Sequence, residues 1–276
     1  MKTDQIQVGD ITMRWEEDGD GIPVVLIHGI PTSPRLWRDV IPLVQGGRNL
    51  AWEMVGYGRS IPEGRGRNIS VRQQADYLLR WMRSVGIDRA ILVGHDLGGG
   101  VAQIVAVHRP QACLGLVLTN SICYDSWPIP SVKLLRAGGA LVQRLPNGVF
   151  KGLFGQFLAR GHDNVRKAAE SILEHWGPYD QQPAAKEFVR QIRSLDVRDT
   201  LEVADRIPSI RVPSRVVWGA SDQFQKVAYG ERLADDLHTV LQRIEGGKHF
   251  TPEDHPDVIA GAINEVIREV GSEQAA

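Results

Sequence analysis

The sequence predicts an α/β fold in which a mostly parallel sheet of eight strands is flanked by helices and carries an inserted helical lid. Two observations predict this fold. Short apolar runs alternate with amphipathic helical segments along most of the chain, which is the pattern of a parallel sheet covered on both faces. Between residues 124 and 205 the alternation stops, and the pattern there is helical throughout.

Strands are predicted where apolar and β-branched residues follow one another for a few positions. These runs lie at residues 6–8, 11–15, 24–27, 49–52, 90–93, 114–118, 215–218 and 240–244. Because the inner runs are apolar without alternation, they are expected to be buried on both faces of the sheet.

Two helices have clear end signals. Before the first, Ser70 and Gln73 have the spacing of a capping box, and Gly86 is expected to end that helix. Its apolar face consists of Tyr77, Leu78, Trp81 and Met82. The apolar face of the last helix consists of Val258, Ile259, Ala262, Ile263, Val266 and Ile267. Gly271 is expected to lie beyond the end of that helix.

We therefore predict a core domain made of residues 1–123 and 206–276, and a lid made of residues 124–205. One apolar stripe of the lid is expected to face the core, and it consists of Phe150, Leu153, Phe154, Phe157 and Leu158. Residues 133–167 contain seven basic side chains and one acidic side chain, Asp163. We interpret the basic side chains as a solvated outer face, with a membrane or partner surface as the alternative.

Composition excludes several classes of protein. A hydrophobic fraction of 42% with 24% charged residues is typical of soluble globular proteins. The formal net charge of −1 gives no reason to expect nucleic acid as a partner. Two cysteines and no long apolar run favour a cytoplasmic protein without a disulfide framework or a membrane span. A homodimer stays open.

Asp96 is the most informative residue of the chain. It lies in the segment GHDLGG at residues 94–99, directly after the apolar run 90–93. A strand, a sharp turn of small residues and a helix form a nucleophile elbow, which exposes one side chain above a parallel sheet. A carboxylate is already ionised at neutral pH, and on a tetrahedral carbon with a leaving group it forms an ester. The expected substrates are small apolar epoxides or alkyl halides, with water as the second reactant.

A second turn, HGIP at residues 28–31, follows the predicted strand 24–27. The backbone N–H groups of Ile30 and Leu97 are expected to form an oxyanion hole for the charge that develops when water attacks the ester. His28, Gly29 and Pro31 complete the turn. A structural role and a direct role for His28 both stay open, as does a cis bond before Pro31.

An acid and a base follow two later strands. Asp222 lies just past the predicted strand 215–218, and His249 lies just past the strand 240–244. Because catalytic groups gather at the carboxyl ends of parallel strands, Asp96, Asp222 and His249 are expected to converge. Asp125, which follows the strand 114–118, is the alternative acid.

These motifs resemble the α/β-hydrolase superfamily, and within it the branch of epoxide hydrolases and haloalkane dehalogenases with an aspartate nucleophile. The matching segments are HGIP at 28–31, GYGRS at 56–60, GHDLGG at 94–99, the segment 218–222 and HFTPEDHP at 249–256. The resemblance implies hydrolysis in two steps without a metal or an organic cofactor. Asp96 displaces the leaving group, and His249, oriented by Asp222, then activates the water that hydrolyses the ester.

The same resemblance favours epoxides over halides. Haloalkane dehalogenases of this kind usually carry a tryptophan after the nucleophile, where this chain has Leu97, and some carry an asparagine where it has Ile30. Related epoxide hydrolases protonate the departing oxygen with lid side chains. The candidates here are Tyr179 first, then Tyr124, and His175.

Two alternatives accompany this prediction. Dehalogenation would need an N–H donor for the halide, which Trp127 or Trp176 could supply. A ligand-binding protein of the same fold without catalysis is the third hypothesis, because a fold alone does not establish activity.

Overall fold

The apolar runs form one sheet of eight strands in the computed structural model, which describes residues 1–275. The strands are β1 (Lys2–Val8), β2 (Ile11–Asp18), β3 (Ile22–Ile27), β4 (Gly47–Trp52), β5 (Ala90–His95), β6 (Cys113–Thr119), β7 (Ser214–Gly219) and β8 (Leu241–Ile244). Their order in the sheet is β1-β2-β4-β3-β5-β6-β7-β8. β2 runs antiparallel to β1 and β4, and the other pairs are parallel. The predicted fold class is confirmed.

Burial explains why the inner strands were predictable and the outer ones less so. Every residue of β5 and β6 is buried, as their unbroken apolar sequence requires. The first two strands extend beyond the predicted runs because they pair as a hairpin, from Lys2 opposite Glu17 to Val8 opposite Ile11. The added residues are polar and, apart from the buried Glu16, they are held in the sheet by backbone pairing rather than by side-chain burial.

Helices connect and flank the strands. They are α1 (Val71–Ser84), α2 (Leu97–His108), α3 (Pro130–Ala137), α4 (Gly139–Val142), α5 (Asn147–Arg160), α6 (Val165–Asp180), α7 (Ala184–Arg193), α8 (Arg198–Ala204), α9 (Val227–Asp236), α10 (Thr251–Asp254) and α11 (Pro256–Ala275). Helix α2 packs on β5 and β6, and α11 packs on β6 and β7. Within residues 1–275, no helix combines the length and apolarity that a membrane crossing needs.

Ser70 and Gly86 end α1 as predicted, but Asn68 takes the part that was expected of the Gln73 side chain. Ser70 Oγ accepts the backbone N–H of Gln73 at 3.3 Å, and Gly86 follows the helix with a φ of 72°. The backbone N–H of Ser70 donates to Asn68 Oδ1 at 3.0 Å, so Asn68 occupies the place expected for the Gln73 side chain. Both ends of α1 are therefore fixed by local hydrogen bonding and backbone geometry.

The prediction that the last helix ends before Gly271 is wrong. Helix α11 continues to Ala275. Val266, Ile267 and Val270 are all buried on its inner side, so the apolar stripe reaches the position next to the glycine. Burial of one such side chain outweighs the cost of about 1 kcal/mol for a glycine inside a helix.

The segment between β6 and β7 contains α3 to α8 and no strand, in agreement with the predicted helical insertion. Phe150, Phe154 and Leu158 are buried, whereas Leu153 is 45% exposed, so its assignment to the inner stripe is wrong. Six of the seven basic side chains of residues 133–167 are exposed and Lys167 is half-buried. The limits 124 and 205 of a lid domain remain our proposal.

A buried charged cluster fastens this insertion to the core. Glu253 in α10 is fully buried and forms an ion pair with Arg38. Its Oε2 accepts the hydroxyl of Ser171 at 2.6 Å, and its Oε1 lies 3.4 Å from His175 Nε2. Ser171 and His175 are one turn apart on α6, and His162 Nε2 lies 3.5 Å from the same carboxylate. One carboxylate thus joins α6, α10 and the core.

The surroundings of Glu253 keep it ionised. Burial by itself would raise the pKa of this carboxyl, but His175, Arg38 and His162 outweigh it and hold the pKa at about 2. Because the folded pKa lies below the ordinary value of 4.5, the ionised group stabilises the fold above about pH 4.5. That contribution is lost as the pH falls toward 2.

We expect Glu253→Gln to lower the free energy of unfolding by about 3 kcal/mol at pH 7, because it leaves Arg38 buried without its partner. Urea denaturation measures this value, and the difference from the unmodified chain should shrink as the pH falls from 5 to 3. Glu245→Gln removes an exposed carboxylate paired with Arg243 and serves as the control. A difference that stays constant over this pH range would contradict the assignment.

Candidate active site

Asp96 stands at the turn between β5 and α2. Its φ of 50° and ψ of −120° are strained for a residue with a side chain, and the helix begins at the next residue. The tight turn brings α2 against the end of β3, so a Cβ on Gly98 would overlap the backbone carbonyl of Ile27. Asp96 is only 6% exposed. The sharp turn predicted from the sequence is present, and it presents a buried carboxylate.

The two oxygens of Asp96 have different environments. Oδ2 accepts the backbone N–H of Ile30 at 2.9 Å, while Oδ1 lies 4.0 Å from His249 Nε2. Burial raises the pKa of Asp96 above its ordinary value, although His249 and the N–H groups of Ile30 and Leu97 favour the charged form. The N–H of Ile30 thus contacts one oxygen of the carboxylate, and the N–H of Leu97 also favours its charged form.

The predicted acid and base meet at hydrogen-bond distance. His249 Nδ1 lies 2.8 Å from Asp222 Oδ2, so the ring donates to the carboxylate and turns Nε2 toward Asp96. Burial would lower the pKa of His249, but Asp222 and Asp96 outweigh it and raise the pKa. A base with a raised pKa accepts a proton readily, which suits it to water activation.

Asn120 is a partner of this pair that the sequence analysis did not place in the site. Its Nδ2 donates to Asp222 Oδ2 at 2.7 Å, and its Oδ1 accepts the hydroxyl of Thr251 at 2.9 Å. Its φ of 42° is unusual for a residue other than glycine, and it follows β6 directly. The sequence signal that could have identified Asn120 is its position as a polar residue at the end of a strand. The alternative acid, Asp125, is exposed and accepts the hydroxyl of Tyr229 instead.

The turn at residues 28–31 supports Asp96 from the neighbouring strand. His28 Nε2 accepts the backbone N–H of Met54 at 3.2 Å, so Nδ1 donates to the carbonyl of Gly29 at 2.9 Å. Burial lowers the pKa of His28 to about 3, which keeps the ring neutral. A Cβ on Gly29 would overlap the carboxylate of Asp96. The peptide bond before Pro31 is cis. His28 thus fixes the turn and does not face the cavity.

A cavity of about 40 Å³ lies above Asp96. Its polar side chains are those of Asp96, His249 and Gln225. The remaining lining is Ile30, Leu97, Ile122, Trp127, Pro128, Ile129, Val132, Phe157, Leu195 and Phe224. An apolar enclosure with few polar groups is typical of sites for small organic ligands.

None of the three predicted lid acids lines this cavity. The hydroxyl of Tyr179 donates to Gln191 Oε1 at 2.6 Å, and that of Tyr124 donates to Asp236 Oδ2 at 2.6 Å. His175 belongs to the cluster around Glu253. The expected position of these side chains above Asp96 is wrong, because each is turned toward a polar partner inside the protein.

Neither tryptophan considered as a halide donor has an N–H available in the cavity. Trp127 lines the cavity, but its Nε1 donates to Thr200 Oγ1 at 2.7 Å. Trp176 packs on Phe150 and Phe154 away from the cavity. Gln225, three positions after Asp222, is the cavity amide that the sequence analysis missed, and its place in the loop after β7 was the only signal for it.

Comparisons with known proteins agree with the observed fold. The family model described as "alpha/beta hydrolase fold" matches residues 22–256. "Haloalkane dehalogenase 2" of Mycobacterium tuberculosis is 28% identical over 265 residues, which cover 92% of this chain and 90% of that protein. Among solved structures, an ancestral haloalkane dehalogenase is similar with a TM-score of 0.77 and 26% identity, over 98% of this chain and 99% of that chain. The epoxide hydrolase CorEH has a TM-score of 0.80 at 20% identity, over 98% and 99% of the two chains.

The raised pKa of His249 depends on Asp222, so Asp222→Asn should lower this pKa. A pH titration of the His249 ring signals by NMR measures this change. Asp125→Asn is the matched control, because Asp125 contacts Tyr229 and should leave the titration of His249 unchanged. An equal effect of both substitutions would contradict the assignment of the acid.

Proposed function

This chain belongs to the α/β-hydrolase fold family, and we propose that it hydrolyses small alkyl halides through an ester on Asp96. The observation that carries the choice of substrate is the cavity lining. Beside Asp96 and His249, the lining residues within 1–275 offer the amide of Gln225 and the indole of Trp127, whose N–H is bound to Thr200. An amide can bind an anion but does not release a proton at neutral pH, so the site suits a leaving group that departs as an anion.

The first step is a displacement at a saturated carbon. Asp96 Oδ2 is held by the N–H of Ile30, which leaves Oδ1 to attack the carbon that bears the halogen. A bond forms between Oδ1 and that carbon, and the bond to the halogen breaks with its electron pair, giving an ester and a halide ion. The apolar walls exclude most water, which strengthens the attack of the carboxylate.

The second step releases the alcohol. His249 Nε2 removes a proton from water, whose oxygen attacks Asp96 Cγ, while the positive ring is stabilised by Asp222. Negative charge then collects on Oδ2, where the N–H groups of Ile30 and Leu97 stabilise it. When the intermediate collapses, Oδ1 leaves with the alkyl group and takes the proton from His249. One oxygen of the Asp96 carboxyl group then comes from water, and loss of the second water proton to solvent restores the carboxylate.

The structure therefore supports halides better than the epoxides favoured by the sequence. Epoxide opening needs an acid near the departing oxygen, and Tyr179, Tyr124 and His175 have their polar atoms directed at other residues. The relationship to haloalkane dehalogenases points the same way. Epoxide hydrolysis stays the second candidate because Leu97 replaces the tryptophan expected after the nucleophile of a dehalogenase.

The size of the cavity narrows the class of substrate. Sites for drug-sized ligands typically enclose ~300–1,000 Å³, whereas this cavity has about 40 Å³. We therefore propose short-chain haloalkanes, which require the least displacement of Val132 and Phe157.

Incubation with butyl bromide and with styrene oxide tests the proposal. We expect bromide and butanol from the first and no diol from the second. A diol without any bromide release would favour the epoxide hydrolase instead. Binding of both compounds without conversion would favour the ligand-binding hypothesis.

We expect His249→Gln to form the ester and then stall, because hydrolysis without the base should slow by ~10²–10⁴-fold. After incubation with butyl bromide, mass spectrometry should find a butyl group on the peptide that contains Asp96. His255→Gln is the control. Because His255 contacts Asp163, this variant should not accumulate the ester. A variant that binds the substrate but keeps an unmodified Asp96 peptide would contradict the covalent route.

A further inference from the structure

Gln225 has a buried side chain for which the described residues provide no hydrogen-bond partner. It is 2% exposed and lines the cavity together with Asp96 and His249. Its Oε1 is buried without a hydrogen-bond partner, and its Nε2, which is not among the fully buried atoms, donates to no other residue within 1–275. A buried amide without a partner destabilises the empty site, so this group points to a ligand in the cavity.

The backbone around Gln225 is fixed by the same residues that orient the base. The carbonyl of Gln225 accepts the indole N–H of Trp218 at 2.8 Å. The backbone N–H of Phe224 donates to Asp222 Oδ1 at 2.6 Å, and Oδ2 of the same carboxylate accepts from His249. The backbone from which the Gln225 side chain projects is therefore held at a set position relative to His249 before any substrate arrives.

The other N–H donors that line the cavity are already occupied. The N–H of Ile30 is bound to Asp96 Oδ2, and the N–H of Leu97 also favours the charged form of Asp96. The indole N–H of Trp127 is bound to Thr200. Among the lining residues within 1–275, Gln225 is thus the side chain whose amide is open to a departing group.

We propose that the side-chain N–H of Gln225 binds the halide as it leaves, an inference that rests on the proposed dehalogenation. Charge grows on the halogen as its bond to carbon breaks, so a fixed donor stabilises the transition state more than the neutral substrate. A neutral amide does this without forming an ion pair with Asp96, as a lysine or arginine would. Gln225 then sets the specificity for the leaving group.

Two substitutions test the role of the amide. Gln225→Met keeps the length of the side chain but removes the donor, and Gln225→Glu keeps the shape but adds a repelling charge. Ester formation is measured by quenched flow and mass spectrometry with butyl chloride, bromide and iodide. We expect Gln225→Met to slow the reaction of the chloride by ~10²-fold and that of the iodide distinctly less, because chloride needs the donor most. Gln225→Glu should slow all three further.

Halide binding supplies a readout that does not depend on turnover. Line broadening of the chloride NMR signal, reversed by bromide, should report a site in the unmodified chain that is lost in both variants. Gln191→Met is the control, because Gln191 is also a buried glutamine but binds Tyr179 and Gly56 away from the cavity. It should keep the order of reactivity of the three halides, whatever its effect on stability.

The outcomes separate the two proposals. If the unmodified chain releases halide and both Gln225 variants keep the same chloride-to-iodide ratio and the same halide binding, the role of Gln225 is overturned and the dehalogenation stands. If halide binds at Gln225 but no haloalkane reacts, the anion site stands and the dehalogenation is overturned. Neither binding nor release in the unmodified chain overturns both.

Discussion

The rest of the site depends on a carboxylate that is buried and yet has to stay charged. Burial raises the pKa of Asp96, and only the N–H groups of Ile30 and Leu97 and the ring of His249 counter that effect. Each of these partners requires its own local structure. The turn at Ile30 needs Gly29, whose missing Cβ leaves room for the carboxylate, and the N–H of Leu97 points inward because α2 begins at that residue.

Asp222 has a comparable function for the other half of the site. Its two oxygens accept from three elements: His249 after β8, Asn120 after β6 and Phe224 after β7. One carboxylate thus aligns the base, the end of a central strand and the loop that carries Gln225. The position of the base and that of the proposed halide donor are linked through Asp222. A substitution of Asp222 would therefore shift both groups.

The sequence predicts features that depend on neighbouring residues and misses those that depend on distant ones. The apolar strands and the convergence of Asp96, Asp222 and His249 follow from local pattern and from the polarity of a parallel sheet. The lid tyrosines were misplaced because a helical pattern does not show which partner a hydroxyl will meet, such as Gln191 for Tyr179. Gln225 escaped notice because the loop sequence gives no sign that its amide is unpaired.

The polar contacts that join α6 to α10 have a consequence for access to the cavity. Glu253 holds the middle of α6 to the core only four positions after His249. Displacing the part of the insertion that contains this cluster would break the polar contacts of Glu253. It would therefore cost more free energy than displacing the rest of the insertion. Ile129 and Val132 form another wall of the cavity, beside α3, which the cluster around Glu253 does not hold. For the proposed reaction, the rate at which that wall moves, and not the rate of bond breaking, would then limit the turnover of bulky substrates.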